Sequence, residues 1–193
     1  ERFPDYWELV SAGKESVDSL SAFRTAPEKT TQFDTGVVWS SERIAASLAA
    51  FYSDVDDYIL IETGYLKAPR RVTVTRNVDA RTWGGEADAT IALAPGWSAT
   101  GSLAYTRGEN RTDDRPLAQM PPLELRTGLN YAGAHWSAGA LWRVVTEQDR
   151  YALNQGNIVG QDLGRTGGFG VLSLNAAWRP AVGVLVTAGV DNL

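Results

Sequence analysis

PLAQMPPLELRTGLNYAGAHWSAGALW, residues 116–142, is the stretch that decides how the chain folds. From Leu123 onward, Leu125, Leu129 and Tyr131 alternate with Glu124, Arg126, Gly128 and Asn130, and Thr127 is the one polar residue in the apolar row. After Ala132-Gly133-Ala134 the alternation resumes, with Trp136, Ala138, Ala140 and Trp142 set against His135, Ser137, Gly139 and Leu141. A period of two marks a strand, and two such runs joined by about three residues form a hairpin. One face is apolar, with aromatics near its ends. The other is polar and carries Glu124 and Arg126. A soluble sheet with one wet face and a membrane-spanning β-barrel both have this pattern, so the rest of the chain must discriminate between them.

Composition narrows the choice. The 193 residues suffice for one domain, and 18 basic against 23 acidic residues leave a net charge of −5, which argues against a nucleic-acid partner. There is no cysteine, hence no disulfide, thiolate metal site or cysteine nucleophile. The mean hydropathy of −0.22 and the lack of a long apolar run exclude a transmembrane helix. They do not exclude a barrel, whose alternating strands average to near-neutral hydropathy. Seven Trp, seven Tyr and 19 Gly against one Met and one His suit such a barrel. The opening ERFPDYWELV has neither the basic nor the apolar region of a signal peptide, and the closing TAGVDNL stops within a strand-like pattern. An excised piece of a larger protein is expected.

Taken in order, residues 1–27 are expected to form a long loop, with the end of a preceding strand near Trp7–Val10. A first strand runs from Glu28 to Ser40, with Phe33, Thr35, Val37 and Trp39 on one face. A second runs from Arg43 to Ile61 and presents Ile44, Ala46, Leu48, Ala50 and Tyr52. Asp54 and Asp56 then fall on the same face, so either a bulge intervenes or the strand has left the membrane. A loop is expected over 62–71. The third strand, Val72 to Leu93, is clearest from Trp83 through Ala87, Ala89, Ile91 and Leu93; the fourth, Trp97 to Arg107, carries Ala99, Gly101, Leu103 and Tyr105. The opening hairpin supplies strands five and six. Strand seven sets Leu172, Leu174, Ala176 and Trp178 against Ser173, Asn175 and Arg179, and strand eight begins Val184, Val186, Ala188, Val190.

Two kinds of connection alternate strictly. Short turns fall at 41–42, 94–96, 132–134 and 180–183, and long polar loops at 62–71, 108–118 and 149–168. One edge of the sheet therefore carries short turns and the other long loops, the asymmetry of an outer-membrane barrel. Trp39, Trp97, Tyr131, Trp136 and Trp178 all lie on the apolar face beside a short turn, as a belt at one level; Trp83, Tyr105 and Trp142 belong to the opposite belt. Eight steps from Trp97 to Tyr105 cover roughly 26 Å of strand, or about 19 Å of depth at ~45° tilt, slightly less than the ~25 Å apolar band. The predicted fold class is all-β: an antiparallel up-and-down transmembrane β-barrel segment of about eight strands, with residues 1–193 as one partial domain.

No residue is assigned a catalytic, cofactor-binding or metal-binding role. His135 is expected at a short turn, with no second His or Cys to complete a metal or acid–base site. Met120 could offer a soft thioether to Cu(I), but a single methionine more simply fills a gap between strands. The acidic runs Asp54, Asp56, Asp57, Glu62 and Glu109, Asp113, Asp114 could gather cations at a pore mouth, although neither has the spacing of a calcium loop and solvated loop charge is the commoner explanation. Glu86, Asp88, Glu124 and Arg126 point into the lumen of a barrel, where they contact a plug, line a path or neutralise one another.

A family likeness rests on Pro27-Glu28-Lys29-Thr30, on Asn77–Gly85 (NVDARTWGG) leading into Glu86, on Pro116-Leu117 through Pro121-Pro122, and on the closing Ala188-Gly189-Val190-Asp191-Asn192-Leu193. These segments resemble the C-terminal barrel portion of a TonB-dependent outer-membrane receptor. ERFPDYWELVS at 1–11, GENRTDDRPLAQMPPLE at 108–124, WSAGALWR at 136–143 and QGNIVGQDLG at 155–164 are most similar to the copper receptors of that family. The resemblance implies a barrel of about 22 strands in the outer membrane of a Gram-negative bacterium, closed by an N-terminal plug. It also implies TonB-driven import of a scarce ligand, here a copper ion or metal complex carried as cargo. Partners implied are outer-membrane lipid, the protein's own plug and, through the plug, the TonB complex. Plug and final strands are expected outside this piece. The Cys, Met and His copper motifs of such receptors have no match here, so no metal ligand is carried over. Rival readings are a siderophore or cobalamin receptor of the same architecture, an outer-membrane barrel enzyme, and a soluble β-sandwich binding module.

Overall fold

A computed structural model describes residues 1–9, 25–67, 69–157 and 159–193. Backbone register turns each alternating run into one strand of a single antiparallel sheet. Its long strands are β1 (Lys29–Ser40), β2 (Ile44–Lys67), β3 (Arg70–Ala94) and β4 (Trp97–Asn110); two-residue β5 (Arg115–Pro116) follows, then β6 (Glu124–Ala132) and β7 (Trp136–Val145), two-residue β8 (Gln155–Gly156), β9 (Phe169–Ala181) and β10 (Val184–Val190). Their order in space is β1-β2-β3-β4-β6-β7-β9-β10, with β5 on β4 and β8 on β2. Eight long strands follow one another as neighbours, and the sheet is open, with β1 and β10 at its edges.

The register shows that the expected apolar face is continuous. Phe33 lies opposite Tyr52, and Tyr52 opposite Trp83. Leu48 meets Ala87 and Ala87 meets Leu103; Leu103 meets Leu125, and Leu129 meets Ala140. Directly opposed residues in an antiparallel pair point to the same side, so these contacts carry one apolar surface across every strand. At the short-turn edge the belt residues touch: the Trp97 and Tyr131 rings lie 5.1 Å apart, and Trp136 and Trp178 stack at 5.3 Å. Trp39, Leu48, Trp136 and Trp142 remain more than half exposed to whatever surrounds the sheet.

On the opposite face, the Phe51 ring packs against Gly84, its partner in register. A Cβ added at Gly84 would meet the Phe51 ring at 2.8 Å and would collide with the Tyr105 carbonyl oxygen. An aromatic ring thereby covers the bare backbone that glycine leaves in a strand.

β2 and β3 are 24 and 25 residues long, whereas a tilted strand needs only about 9–11 to cross a bilayer. More than half of each stands beyond the apolar band. Here the loop expected over 62–71 gives way to continued strand, and β2 and β3 pair almost to their tips, Lys67 opposite Arg70. The composition of ETGYLKAPRR reads as loop, yet a register shift between Glu62 and Tyr65, with Gly64 at φ 77°, absorbs its glycine within the strand; an earlier shift lies between Val55 and Tyr58, with Asp57 at φ 59°. A bulge is therefore present after Val55, at Asp56 and Asp57, whereas Asp54 stays in register opposite Arg81 and lies where the strand has passed the apolar band.

The true core lies in this projecting region. Ile59, Leu60, Ile61, Val72 and Val78 are all at most 5% exposed, as are Leu117, Ala118 and Ala152 from the loops above β4 and after β7. Three consecutive buried residues, Ile59 to Ile61, require cover on both faces of β2, and the loops supply it.

One further expectation is corrected. The strand end placed near Trp7–Val10 is instead a helical turn, Tyr6–Leu9; Val10 lies outside the described residues. The Asp5 carbonyl accepts from the amides of Glu8 (3.0 Å) and Leu9 (3.1 Å), and the Glu8 carboxylate accepts the Asp5 amide at 2.7 Å. This return bond from the third helical residue belongs to a capping box, and it overrides the strand pattern.

Candidate functional site

The long-loop rim gathers most of the buried polar chemistry of the chain. Glu28, the residue before β1, is 7% exposed and makes five hydrogen bonds, three at its carboxylate and two between its backbone and that of Arg2. Arg2 donates Nε to Oε2 at 2.7 Å and Nη2 to Oε1 at 2.8 Å, the Ile59 amide donates to Oε1 at 2.8 Å, and the Glu28 amide itself bonds the Arg2 carbonyl at 2.9 Å in the reverse direction. Arg2 also reaches both oxygens of buried Glu8 at 3.0 Å. Burial alone would raise the Glu28 carboxyl, but the Arg2 fork, the Ile59 amide and the charge of Arg2 outweigh it and hold it below the ordinary carboxylate value. The pair ties the segment before β1 to the centre of the projecting β2.

A second network joins the β4–β5 turn to the same region. Arg76 on β3 bonds Glu62 on β2 at 3.1 Å and clasps Asp113 through both terminal nitrogens, while Asn110 donates to Asp113 at 2.8 Å. The Arg76 hydrogen bond, opposed by partial burial, keeps the Asp113 carboxyl below its usual value. Loop 146–168 closes the rim from the far side. β8 pairs with Ile61 and Glu62, the Thr63 amide donates to the Asn154 carbonyl at 2.9 Å, and Thr63 Oγ1 donates to Gln161 at 2.8 Å. From β7 the loop reaches across to β2, four strand positions away or roughly 19 Å at the usual strand spacing, before returning to β9. Asp162 staples it midway, accepting from the Gln119 and Ala152 amides at 3.0 and 2.9 Å.

The residues singled out by sequence are dispersed rather than assembled. Glu124 and Arg126 bond each other on the polar face, joined by Arg143 from β7, which reaches Glu124 at 2.6 Å. Arg143 continues the polar row of His135, Ser137 and Gly139 one step past the stretch where alternation is clearest, and only the register sets it opposite Arg126. Glu86 and Asp88 share that face, on β3. His135 lies exposed at a short turn, its carbonyl accepting the Arg179 amide at 2.8 Å. Met120 lies at the opposite edge beside Gly108, where a Cβ would come within 2.9 Å of its Cγ. The structure thus keeps the imidazole and the thioether at opposite ends of the strands. Among the described residues no three His, Asp or Glu side chains converge to hold a metal ion.

Each acidic run is one half of an ion-pair system. Asp54 receives Arg81 at 3.1 Å and Arg111 at 3.5 Å, Glu62 and Asp113 share Arg76, and Glu109 lies 3.7 Å from both Arg107 and Arg150. In sequence these acids look like clusters, yet their partners come from neighbouring strands. The register shift between Val55 and Tyr58 separates them further: Asp54 is outward and Glu62 belongs to the buried rim. The arrangement is suited to holding loops on a wall, and it presents no nucleophile–base pair.

Comparison with known proteins agrees with this architecture. The family of TonB dependent receptor-like β-barrels matches residues 1–193. The solved structure of the copper transporter OprC is 44% identical, superposes with a TM-score of 0.87, and aligns over 99% of this chain and 29% of that one. The FrpB iron transporter of Neisseria meningitidis is 19% identical with a TM-score of 0.64, over 87% of this chain and 27% of its own. The ferric enterobactin receptor PfeA of Pseudomonas aeruginosa is 20% identical with a TM-score of 0.70, over 91% and 27%. At such identities the latter two show the fold alone. The chain spans less than a third of each of these structures. No curated protein matches it.

Proposed function

The chain belongs to the TonB-dependent receptor-like β-barrel family, and on that premise we propose that it forms the wall and outer rim of an outer-membrane receptor that imports copper. The observation that carries the copper assignment is the 44% identity to a copper transporter over 99% of the chain, against 19–20% to the iron receptors. Continuity of the apolar face across eight strands supports contact with lipid. The opposite face, with Glu86, Asp88, Glu124, Arg126 and Arg143, is suited to enclose a polar plug, through which TonB would act. Copper enters this proposal as cargo: no residue of the chain is assigned as its ligand, and the rim acts by shaping and covering the mouth. The role is transport rather than catalysis.

The test uses the complete receptor in its host. Deleting its gene should reduce accumulation of radioactive copper to the level of energy-uncoupled cells, and restoring it should recover uptake. Growth on ferric enterobactin should be unchanged. Unaltered copper accumulation together with lost growth on a ferric siderophore would overturn the assignment in favour of a siderophore receptor.

A further inference from the structure

The ribbon from Thr146 to Gly168, between β7 and β9, is tied down along its whole length. Its outgoing and returning limbs bond each other: Gln148 and Thr166 exchange backbone hydrogen bonds of 2.9 and 3.2 Å, the Asn154 amide donates to the Asp162 carbonyl at 2.8 Å, and the Asp162 amide donates to the Gln155 carbonyl at 2.9 Å. At the base, the Thr146 amide donates to the Leu123 carbonyl at 3.0 Å, and Gln148 Nε2 to the Met120 carbonyl at 2.5 Å. Midway the Asp162 carboxylate accepts the Gln119 amide, and at the far end Gln155 and Gly156 pair with Glu62 and Ile61. Beside these ties Gln119 and Asn154 hold φ at 61° and 60°, a conformation that residues with a side chain keep only where their surroundings impose it. A lid swings on a hinge and must have a free end. Among the described residues this ribbon has none.

Register fixes the side of the wall that the ribbon covers. In both register shifts between β2 and β3 the extra residue lies on β2, so on β3 the inward row of Asp88 and Glu86 continues upward through Ala80, Val78 and Arg76 to Val74. Gln155 lies opposite Glu62, which lies opposite Val74, and so shares that inward face. Leu60, Val72 and Val78 on the same face are at most 5% exposed, as are Leu117 and Ala118 from the loop before β6 and Ala152 from the ribbon. The outward side is held by a different segment, since Asn77 bonds both backbone groups of Ala26, at 2.8 and 3.0 Å. Lifting the ribbon would therefore strip cover from an apolar patch on the lumen side and unpair the edge of β2. We propose that residues 146–168 form a fixed roof over the β2–β3 sector of the mouth, not a gate, and that cargo enters outside this sector. The proposal rests on the receptor reading above, in which this face encloses a lumen, and it holds for any cargo.

The test locks the roof in the complete receptor with Glu62→Cys and Gln155→Cys. Opposed residues of an antiparallel pair place their Cβ atoms about 4.5–5.5 Å apart, near the span of a disulfide. Neither amide atom of Gln155 has a hydrogen bond to lose, and Arg76 keeps its clasp on Asp113. With the cross-link verified by the mass of the joined peptides, uptake of radioactive copper should match that of the two single-cysteine variants. Uptake below both single variants would overturn the proposal, because passage would then require the ribbon to lift. Hydrogen exchange on the wild-type receptor reads the same claim without a cross-link. The amides of Asn154, Asp162 and Thr166 should exchange as slowly as those of β6, with copper present or absent. Exchange about 10-fold faster than in β6, or a change of about 10-fold on adding copper, would overturn it as well. A wild type that takes up no copper would overturn the cargo assignment alone and leave the exchange result standing.

Discussion

Replacing Glu28 by glutamine keeps the shape of the side chain and removes the charge that Arg2 and the Ile59 amide address. With charge-assisted hydrogen bonds lost at a buried position, the rim should open more easily by about 2 kcal/mol. Hydrogen exchange at Ile59–Ile61 should then speed up about 30-fold. The sign of the pH dependence follows from the lowered carboxyl: the stabilisation is complete above the ordinary carboxylate range and is lost as pH falls through the lowered folded value. Acidification should therefore lower the protection of these amides, corrected for the intrinsic pH dependence of exchange, in the wild type and leave that of the variant flat over the same window. Sequence placed Glu28 at the start of a strand but gave no reason to bury it. Its partner Arg2 is 26 residues away, and such a distance is invisible to periodicity. By contrast the Asp5–Glu8 capping box is readable in sequence, as Asp-Tyr-Trp-Glu, and it prevails over a strand pattern too short to compete.

Among the elements, β2 and β3 depart furthest from expectation. Alternation located their membrane halves correctly, because lipid on one side and a polar lumen on the other impose a strict period. Beyond the band that constraint ends; Ile59, Leu60 and Ile61 are buried on both faces, and backbone pairing carries the strands through residues that read as loop. The same region is where loops attach, so breaking one staple should free one loop. Asp113→Ala removes the Arg76 clasp and should release the turn at Arg111–Asp114. Trypsin acting on the complete receptor should then cut after Arg111 much faster than in wild type, and equal cutting would show that the clasp does not hold the turn. Within the membrane half, Gly84→Val would drive a side chain into Phe51 and the Tyr105 carbonyl. Overpacking of this kind costs about 1–3 kcal/mol, and the thermal midpoint of the receptor should fall accordingly; an unchanged midpoint would show that Phe51 simply swings aside.

At the scale of the whole molecule, the sheet has two open edges, β1 and β10, and an apolar face on which Trp39, Leu48 and Trp136 are more than half exposed. Residues 1–193 expressed alone should therefore aggregate in the absence of detergent. A soluble monomer with cooperative unfolding would show that the sheet can close on itself. The central claim, that one face of every strand lies against hydrocarbon, has a direct test: these 193 residues contain no cysteine, and with any cysteine elsewhere in the complete receptor replaced, single labels can be placed at will. Nitroxides are introduced into the complete receptor, reconstituted in lipid vesicles, at outward Ala99, Leu129, Ala140 and Leu174 and at inward Thr100, Asn130, Leu141 and Ser173. Collision with dissolved oxygen, which concentrates in the bilayer, should be high at the first set and low at the second, alternating residue by residue. Equal oxygen accessibility in the two sets, or its reversal, would contradict the assignment of faces.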